Sequence, residues 1–252
     1  MKNGKNKLLL EEMSWPEIKD ALDNGMTTVI IFAGSIEQHG PHMAENTDTL
    51  LAYHWALDLA ERLGNALVAP VIRPGLSEHH MGLPGTITLR PEVFIGIVED
   101  YISSYVRHGF KTIILASSHG GNFKAFEQFI ETQAKRYKDV KIIGGLSDLI
   151  SILEKLEAEE NLQTGTYGGH ACGWETSAML HFAPELVDMS KAECGFLEKV
   201  TPELLEKLFS EGMDAISKNG ILGDARSASG ELGARHLKIL QDKHEEAIRA
   251  KL

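Results

Sequence analysis

Thr27-Thr28-Val29-Ile30-Ile31-Phe32-Ala33 runs directly into Gly34-Ser35-Ile36-Glu37-Gln38-His39-Gly40-Pro41-His42. The first half is short, β-branched and almost wholly apolar, the pattern of a buried strand. The second half is turn-rich and carries ligand-type side chains, and the exit of a buried strand is where open α/β sheets place their chemistry. In an extended segment Glu37 and His39 are two apart and point to the same side. Gly40 and Pro41 then bend the chain, a bend that would return Asp48 to the same point. Carboxylate oxygens with an imidazole nitrogen suit a borderline-to-hard divalent cation such as zinc or manganese. A single Glu-x-His is common by chance, and Asp48 alone reads as a helix cap or first-turn acid, worth about 1 kcal/mol.

Outward from this stretch, strands alternate with helices. Ser14-Trp15-Pro16-Glu17 is a capping box with proline in the first turn, opening a short helix that ends near Asn24-Gly25. Leu50, Leu51, Trp55, Leu59 and Leu63 have helical spacing from about Thr47, and Gly64 stops them. Ala66 to Val71 reads as a second strand. It exits into a long loop holding His79, His80 and three glycines before Thr86, the kind of loop that usually carries function. Arg90-Pro91-Glu92 opens a helix that Gly109 closes. Lys111 to Ala116 is a third strand, exiting into Ser117-Ser118-His119-Gly120-Gly121-Asn122, and Phe126, Phe129 and Ile130 line the next helix. Val140 to Ile143 is a fourth strand. A helix through Leu149, Leu153 and Leu156 follows, then a loop at Gly165-Thr166-Tyr167-Gly168-Gly169 that reads as flexible. His170-Ala171-Cys172-Gly173-Trp174-Glu175-Thr176-Ser177 enters an apolar helix. Two amphipathic helices begin at Thr201, and the last, charged one reads as a solvated face.

This order implies an α/β fold of three layers, α/β/α, around a mostly parallel sheet, with 1–252 as a single domain. Right-handed crossovers put all strand exits at one edge, where Glu37, His39, His80 and His119 would converge. That convergence raises metal binding above the bland readings of each residue: a satisfied core histidine for His170, a dipole-complementing acid for Glu175, and core packing or a pocket wall for Trp174. Gly120-Gly121 before a helix also admits a phosphate cradle, but there is neither Gly-x-Gly-x-x-Gly spacing nor a Walker lysine.

The bulk numbers exclude several classes. A formal net charge of -11 makes a nucleic-acid backbone an unsuitable partner. No stretch reaches the ~20 apolar residues of a membrane span, and Leu8-Leu9-Leu10 is too short for a signal peptide. Cys172 and Cys194 form no disulfide framework, which fits a reducing cytoplasm.

The pieces Gly34 to His42, Asn46-Thr47-Asp48, His80-Met81-Gly82-Leu83-Pro84-Gly85-Thr86, Ser118 to Asn122 and His170 to Ser177 together resemble the creatininase family, the creatinine amidohydrolase superfamily of metal-dependent amidohydrolases. The resemblance implies a creatininase-like fold, a homo-oligomer (a hexamer) and two divalent ions, zinc and/or manganese, with iron a third option. By resemblance Glu37, His39, Asp48 and His119 match metal ligands, with Asp48 as the bridge. Creatinine-cleaving members place a glutamate two residues beyond the histidine, where this chain has Gly121, so Glu175 is expected to supply that ligand and to share the catalytic role with His170. Cys172-Gly173 also departs from the usual Gly-Glu of that block. His170 matches a substrate-side or proton-transfer histidine, and His80, Trp174, Gly121 and Asn122 are expected to contact substrate. The long loop would shape the site, from this chain or a neighbouring subunit. The expected activity is opening a cyclic amide or cleaving a related C–N bond of a small polar substrate. Family members that hydrolyse a formamide or a C–C bond of a cyclic keto-polyol set the alternatives. A metal-binding maturation or structural protein without turnover is the rival from another class.

Overall fold

The computed structural model describes residues 7–144 and 149–252. In chain order the regular elements are α1 (Trp15–Asp23), β1 (Thr28–Ala33), α2 (Thr47–Leu63), β2 (Ala66–Val68), α3 (Pro91–His108), β3 (Thr112–Ser117), α4 (Phe123–Thr132), β4 (Lys141–Gly144), α5 (Leu149–Glu159), α6 (Gly173–Phe182), α7 (Pro202–Glu211) and α8 (Gly230–Arg249). The four strands form one parallel sheet in the order β2-β1-β3-β4. Both faces of β1 are buried, which is why its sequence is a continuous apolar run with no alternation. Ile30 and Phe32 point to one layer, with Ile114 of β3 and the apolar faces of α2, α5, α6 and α8. Val29 and Ile31 point to the other, against α3 and α4. The three-layer α/β/α arrangement expected from the sequence is present.

Caps follow the local signals. Ser14 and Glu17 close the capping box of α1 reciprocally, and Gly64 and Gly109 end α2 and α3 in the left-handed conformation that a Cβ disfavours. Three expectations fail. The second strand ends at Val68, before Pro70, which has no N–H for a ladder; a lone bridge at Ile72 resumes pairing with β1. The Gly165–Gly169 loop is not a free segment: Thr166 and Tyr167 are buried, and the Glu157 carboxylate accepts the Gly165 and Tyr167 amides. The last helix is not a solvated face, since His236, Leu237, Leu240, His244 and Ile248 bury one side of α8 against the core. The Gly145 end of the fourth strand's exit lies outside the described residues.

The order β2-β1-β3-β4 makes the gap between β1 and β3 the topological switch point, because the crossovers leave these neighbours in opposite directions. The β1 exit is pressed onto the start of α2. A Cβ on Gly34 would lie 2.8 Å from the Cα and N of Thr49, Thr49 Oγ1 donates to Ser35 O at 2.9 Å, and Ser118 Oγ from the β3 exit donates to Asp48 O at 2.7 Å. Backbone cannot swing aside as a side chain can, so Gly34→Ala is expected to lower stability by about 1–3 kcal/mol. Gly96→Ala, in the interior of α3 with nothing within 4 Å of the new methyl, should raise it by about 0.5–1 kcal/mol. Urea midpoints of the two variants check both signs.

Candidate metal centre

Four segments deliver the cluster. The β1 exit brings Glu37 and His39, the first turn of α2 brings Asp48, the β3 exit brings His119, and the first turn of α6 brings Glu175. All five are buried. Two three-residue groups have ligand atoms within 4.8 Å of one another: Glu37, Asp48 and His119, and His39, Asp48 and Glu175. Asp48 belongs to both. Glu37 and His39 also approach His170 in a third group.

Each imidazole has its outward nitrogen fixed by a main-chain carbonyl. His39 Nδ1 lies 3.0 Å from Glu37 O, and His119 Nε2 lies 3.1 Å from Leu76 O. A carbonyl only accepts, so these nitrogens donate, and the opposite nitrogens face the carboxylates. His39 Nε2 is 3.7 Å from Asp48 Oδ1 and 4.0 Å from Glu175 Oε2. His119 Nδ1 is 3.1 Å from Glu37 Oε1 and 3.4 Å from Asp48 Oδ2. Glu37 Oε1, His39 Nε2 and Asp48 Oδ2 are buried without a hydrogen-bond partner. Unsatisfied buried polar atoms are costly, and their convergence on shared points fits divalent cations held by mixed oxygen and nitrogen ligands. The carbonyl-fixed histidines supply the outer support such ligands usually have.

The electrostatics agree. Burial alone would push His39 down, but Asp48, Glu175 and Glu37 outweigh it and hold its imidazole up at about 10. His119 likewise sits well above the usual histidine value despite burial, through Glu37 and Asp48. Burial would raise Asp48, yet His39 and His119 hold it well below the usual carboxylate range. Burial pushes Glu175 up to about 8, against the pull of His39. Three carboxylates in so small a volume demand positive charge, from protons when no cation is bound. By contrast, burial first and neighbouring histidines second hold His80 and His170 well below the usual value, so both rings are neutral.

The residues expected at the site divide. His80 Nε2 and His170 Nδ1 face Glu37 Oε1 at 3.5 and 3.6 Å, and both histidines and Gly121 line the cavity above the cluster. His80 comes from this chain's own loop, not a neighbouring subunit. A Cβ on Gly121 would meet Leu76 O at 2.2 Å and the His119 ring at 2.4 Å, so that backbone has no room for a carboxylate side chain, and Glu175 stands beside Asp48 instead. Glu175 is held by the Ala171 amide, which donates to its Oε2 at 2.5 Å; Ala171 adopts a left-handed φ of 51° to do so. Trp174 is corrected: it is 1% exposed and stacks on Trp55 in the core rather than facing substrate. Asn122 is corrected too. Its Oδ1 accepts from Leu76 N and its Nδ2 donates to Gly34 O and Ser117 Oγ, tying three segments together. Burial drives the Cys172 thiol up to about 12, so it is no nucleophile.

Sequence reading missed Ser77 and Gln38. Ser77 Oγ donates to Glu37 Oε2 at 2.7 Å and touches Ser35 Oγ at 2.5 Å; its place in the long loop before His79-His80 was the available signal. Gln38 lies between two expected ligands, yet its outward alternation concealed its reach. A cavity of about 760 Å³ opens from the cluster. Its far walls are mostly apolar, from Phe126 and Ile130 of α4 and Leu204, Leu208 and Phe209 of α7, with Glu127, Glu131 and Lys251 also lining it.

A buried carboxylate–imidazole cluster at the strand exits of an α/β/α sheet suits a metal-dependent hydrolase. The chain belongs to the creatininase family: the family description "Creatininase: Creatinine amidohydrolase" matches residues 11–248. It is 28% identical to the creatinine amidohydrolase of Pseudomonas putida, over 94% of this chain and 95% of that one. It is 29% identical to the mycofactocin precursor peptide peptidase of Mycolicibacterium smegmatis, over 82% and 78%. A solved creatininase structure with manganese in its description superposes with a TM-score of 0.77 at 27% identity, covering 98% of this chain and 99% of that one.

A divalent cation bound at this cluster would displace protons. Zinc binding followed by calorimetry at pH 7 should release protons from His39, His119 and Glu175, and the apparent affinity should rise from pH 6 to pH 8. In a chelator the sign reverses for stability. Folded-state values raised above the unfolded ones near 6.5 and 4.5 stabilise fully only below those values. The contributions of Glu175 and His39 are then lost as pH climbs through about 8 and about 10. Binding without proton release would remove the imidazoles from the ligand set.

Proposed function

We propose that the chain hydrolyses a C–N bond of an amide, with two divalent cations, zinc or manganese, as its resident cofactor. The observation that supports this most directly is the pair of ligand groups sharing Asp48. Glu37, Asp48 and His119 would hold one cation, and His39, Asp48 and Glu175 the other. Bound there, the pair supplies Lewis acidity, polarising a carbonyl and lowering the pKa of a water toward neutrality.

The chain's own residues carry the rest. His170 exchanges a proton at Nδ1, the nitrogen turned toward Glu37: neutral, it takes a proton from the attacking water and returns it to the leaving nitrogen as the C–N bond breaks. His80 stands beside it, with ring centroids 4.4 Å apart, within reach of the same reacting group. Ser77 fixes Glu37 through Oε2, and the cavity walls orient substrate and exclude water. An amide bearing a bulky apolar group suits those walls better than a small, wholly polar ring. The similarity to a peptide peptidase supports the same choice. The exposed apolar side chains of Met81 and Phe209 support a homo-oligomer.

A panel of creatinine, formylated amines, apolar peptide amides and cyclic keto-polyols, each with and without chelator, tests this reading. Turnover should fall on an amide and vanish with chelator, and His170→Asn should lower kcat by about 10²–10⁴-fold with bound zinc unchanged. Turnover confined to a keto-polyol would replace the amide reading. That outcome has a precedent in similarity: the 3-dehydro-scyllo-inosose hydrolase of Thermotoga maritima is 30% identical over 70% of this chain and 57% of its own length.

A further inference from the structure

The Gln38 side chain sits where four groups meet. Its Oε1 accepts the Gly40 amide at 3.0 Å. Its Nε2 lies 3.2 Å from Gly220 O, 2.9 Å from His80 Nδ1 and 2.9 Å from His170 Nε2. The amide's orientation does not depend on the histidines. Gly40 offers only a donor and Gly220 only an acceptor, so oxygen must face the first and nitrogen the second. Gly220 is a glycine of necessity: φ is +74°, and a Cβ would come within 2.0 Å of Gln38 Oε1.

The hydrogens then have few options. His170 Nε2 also lies 2.9 Å from the main-chain O of Gln38. A carbonyl cannot donate, so His170 Nε2 carries the hydrogen and Nδ1 carries the lone pair. With that hydrogen in place, His170 Nε2 cannot also accept from the amide, so the 2.9 Å approach of these two nitrogens is a donor–donor contact and not a hydrogen bond. The two Nε2 hydrogens of Gln38 are left for Gly220 O and His80 Nδ1. His80 therefore accepts at Nδ1 and, as a neutral ring, keeps its hydrogen on Nε2. Both free positions, His170 Nδ1 and His80 Nε2, face Glu37 Oε1.

We propose that Gln38 is a positioning residue that sets the two cavity histidines in opposite tautomers, His170 through its main-chain carbonyl and His80 through its side-chain amide, so that a lone pair and an N–H are presented side by side to one substrate. The arrangement rests on the hydrolase reading for its purpose: a base for the attacking water next to a donor for the oxygen on which charge develops. Neither ring needs to reorganise when substrate arrives.

Long-range ¹H–¹⁵N spectra of the full chain labelled at histidine, with and without added zinc, read each tautomer directly; His80→Gln and His170→Gln assign the signals. The wild type should show His170 protonated at Nε2 with Nδ1 bare, and His80 protonated at Nε2 with Nδ1 accepting. Gln38→Met keeps the side-chain length but removes the donor. It should release His80 from its single tautomer, leave His170 unaltered because its partner is main chain, and leave zinc affinity within about threefold. Wild-type His80 protonated at Nδ1, or an unchanged His80 signal in Gln38→Met, would overturn the proposal. The wild-type reading needs no variant to fold. An inert substrate panel with these tautomers intact would refute the hydrolase reading and leave the positioning role standing.

Discussion

The mutual repulsion of Glu37, Asp48 and Glu175 is the constraint around which the molecule is arranged. Asp48 lies in one buried group with Glu37 and in another with Glu175, and buried carboxylates so close together need nearby positive charge. The fold answers with two imidazoles whose outward nitrogens are tied to main-chain carbonyls, His39 to Glu37 in its own strand exit and His119 to Leu76 in the loop after β2, so their inward nitrogens are committed to the carboxylates. This is why burial, which by itself would depress His39 and His119, leaves both raised. The ordering cost of bringing four distant segments together is met elsewhere, by two apolar layers packed on a parallel sheet.

The sheet order supplies the location. Glu37 and His39 leave β1, His119 leaves β3, and these neighbours flank the switch point. Close backbone approach at Gly34 then fixes α2, and with it Asp48, against the same exit. Glu175 arrives on α6, well beyond the last strand of the sheet. The Gly121 backbone is too crowded by Leu76 and His119 for a side chain, while the first turn of α6 places the Glu175 carboxylate beside His39 and Asp48. The similar proteins include a creatinine amidohydrolase, a precursor peptide peptidase and an inosose hydrolase, so a shared fold does not by itself fix the substrate.

Most of the architecture was legible because its signals are local. The β1 run, the Ser14–Glu17 box and the glycines after α2 and α3 each specify their own element. The candidate ligands were legible for a related reason: carboxylates and imidazoles recur at the exits of β1 and β3, which a parallel sheet brings to one edge. What escaped was set by tertiary contact. Trp174 belongs to the core because Trp55 lies beneath it, and α8 is half buried because α2 and α6 cover it. Asn122 is absorbed in main-chain hydrogen bonds. Gln38 and Ser77 act through partners about 40 or more residues away, which no local pattern encodes.

Anomalous diffraction from crystals grown with zinc tests the central claim most directly. Two peaks per chain should appear on either side of the Asp48 carboxylate, one against Glu37 and His119 and the other against His39 and Glu175. Peaks elsewhere on the chain, with none touching Asp48, would contradict it.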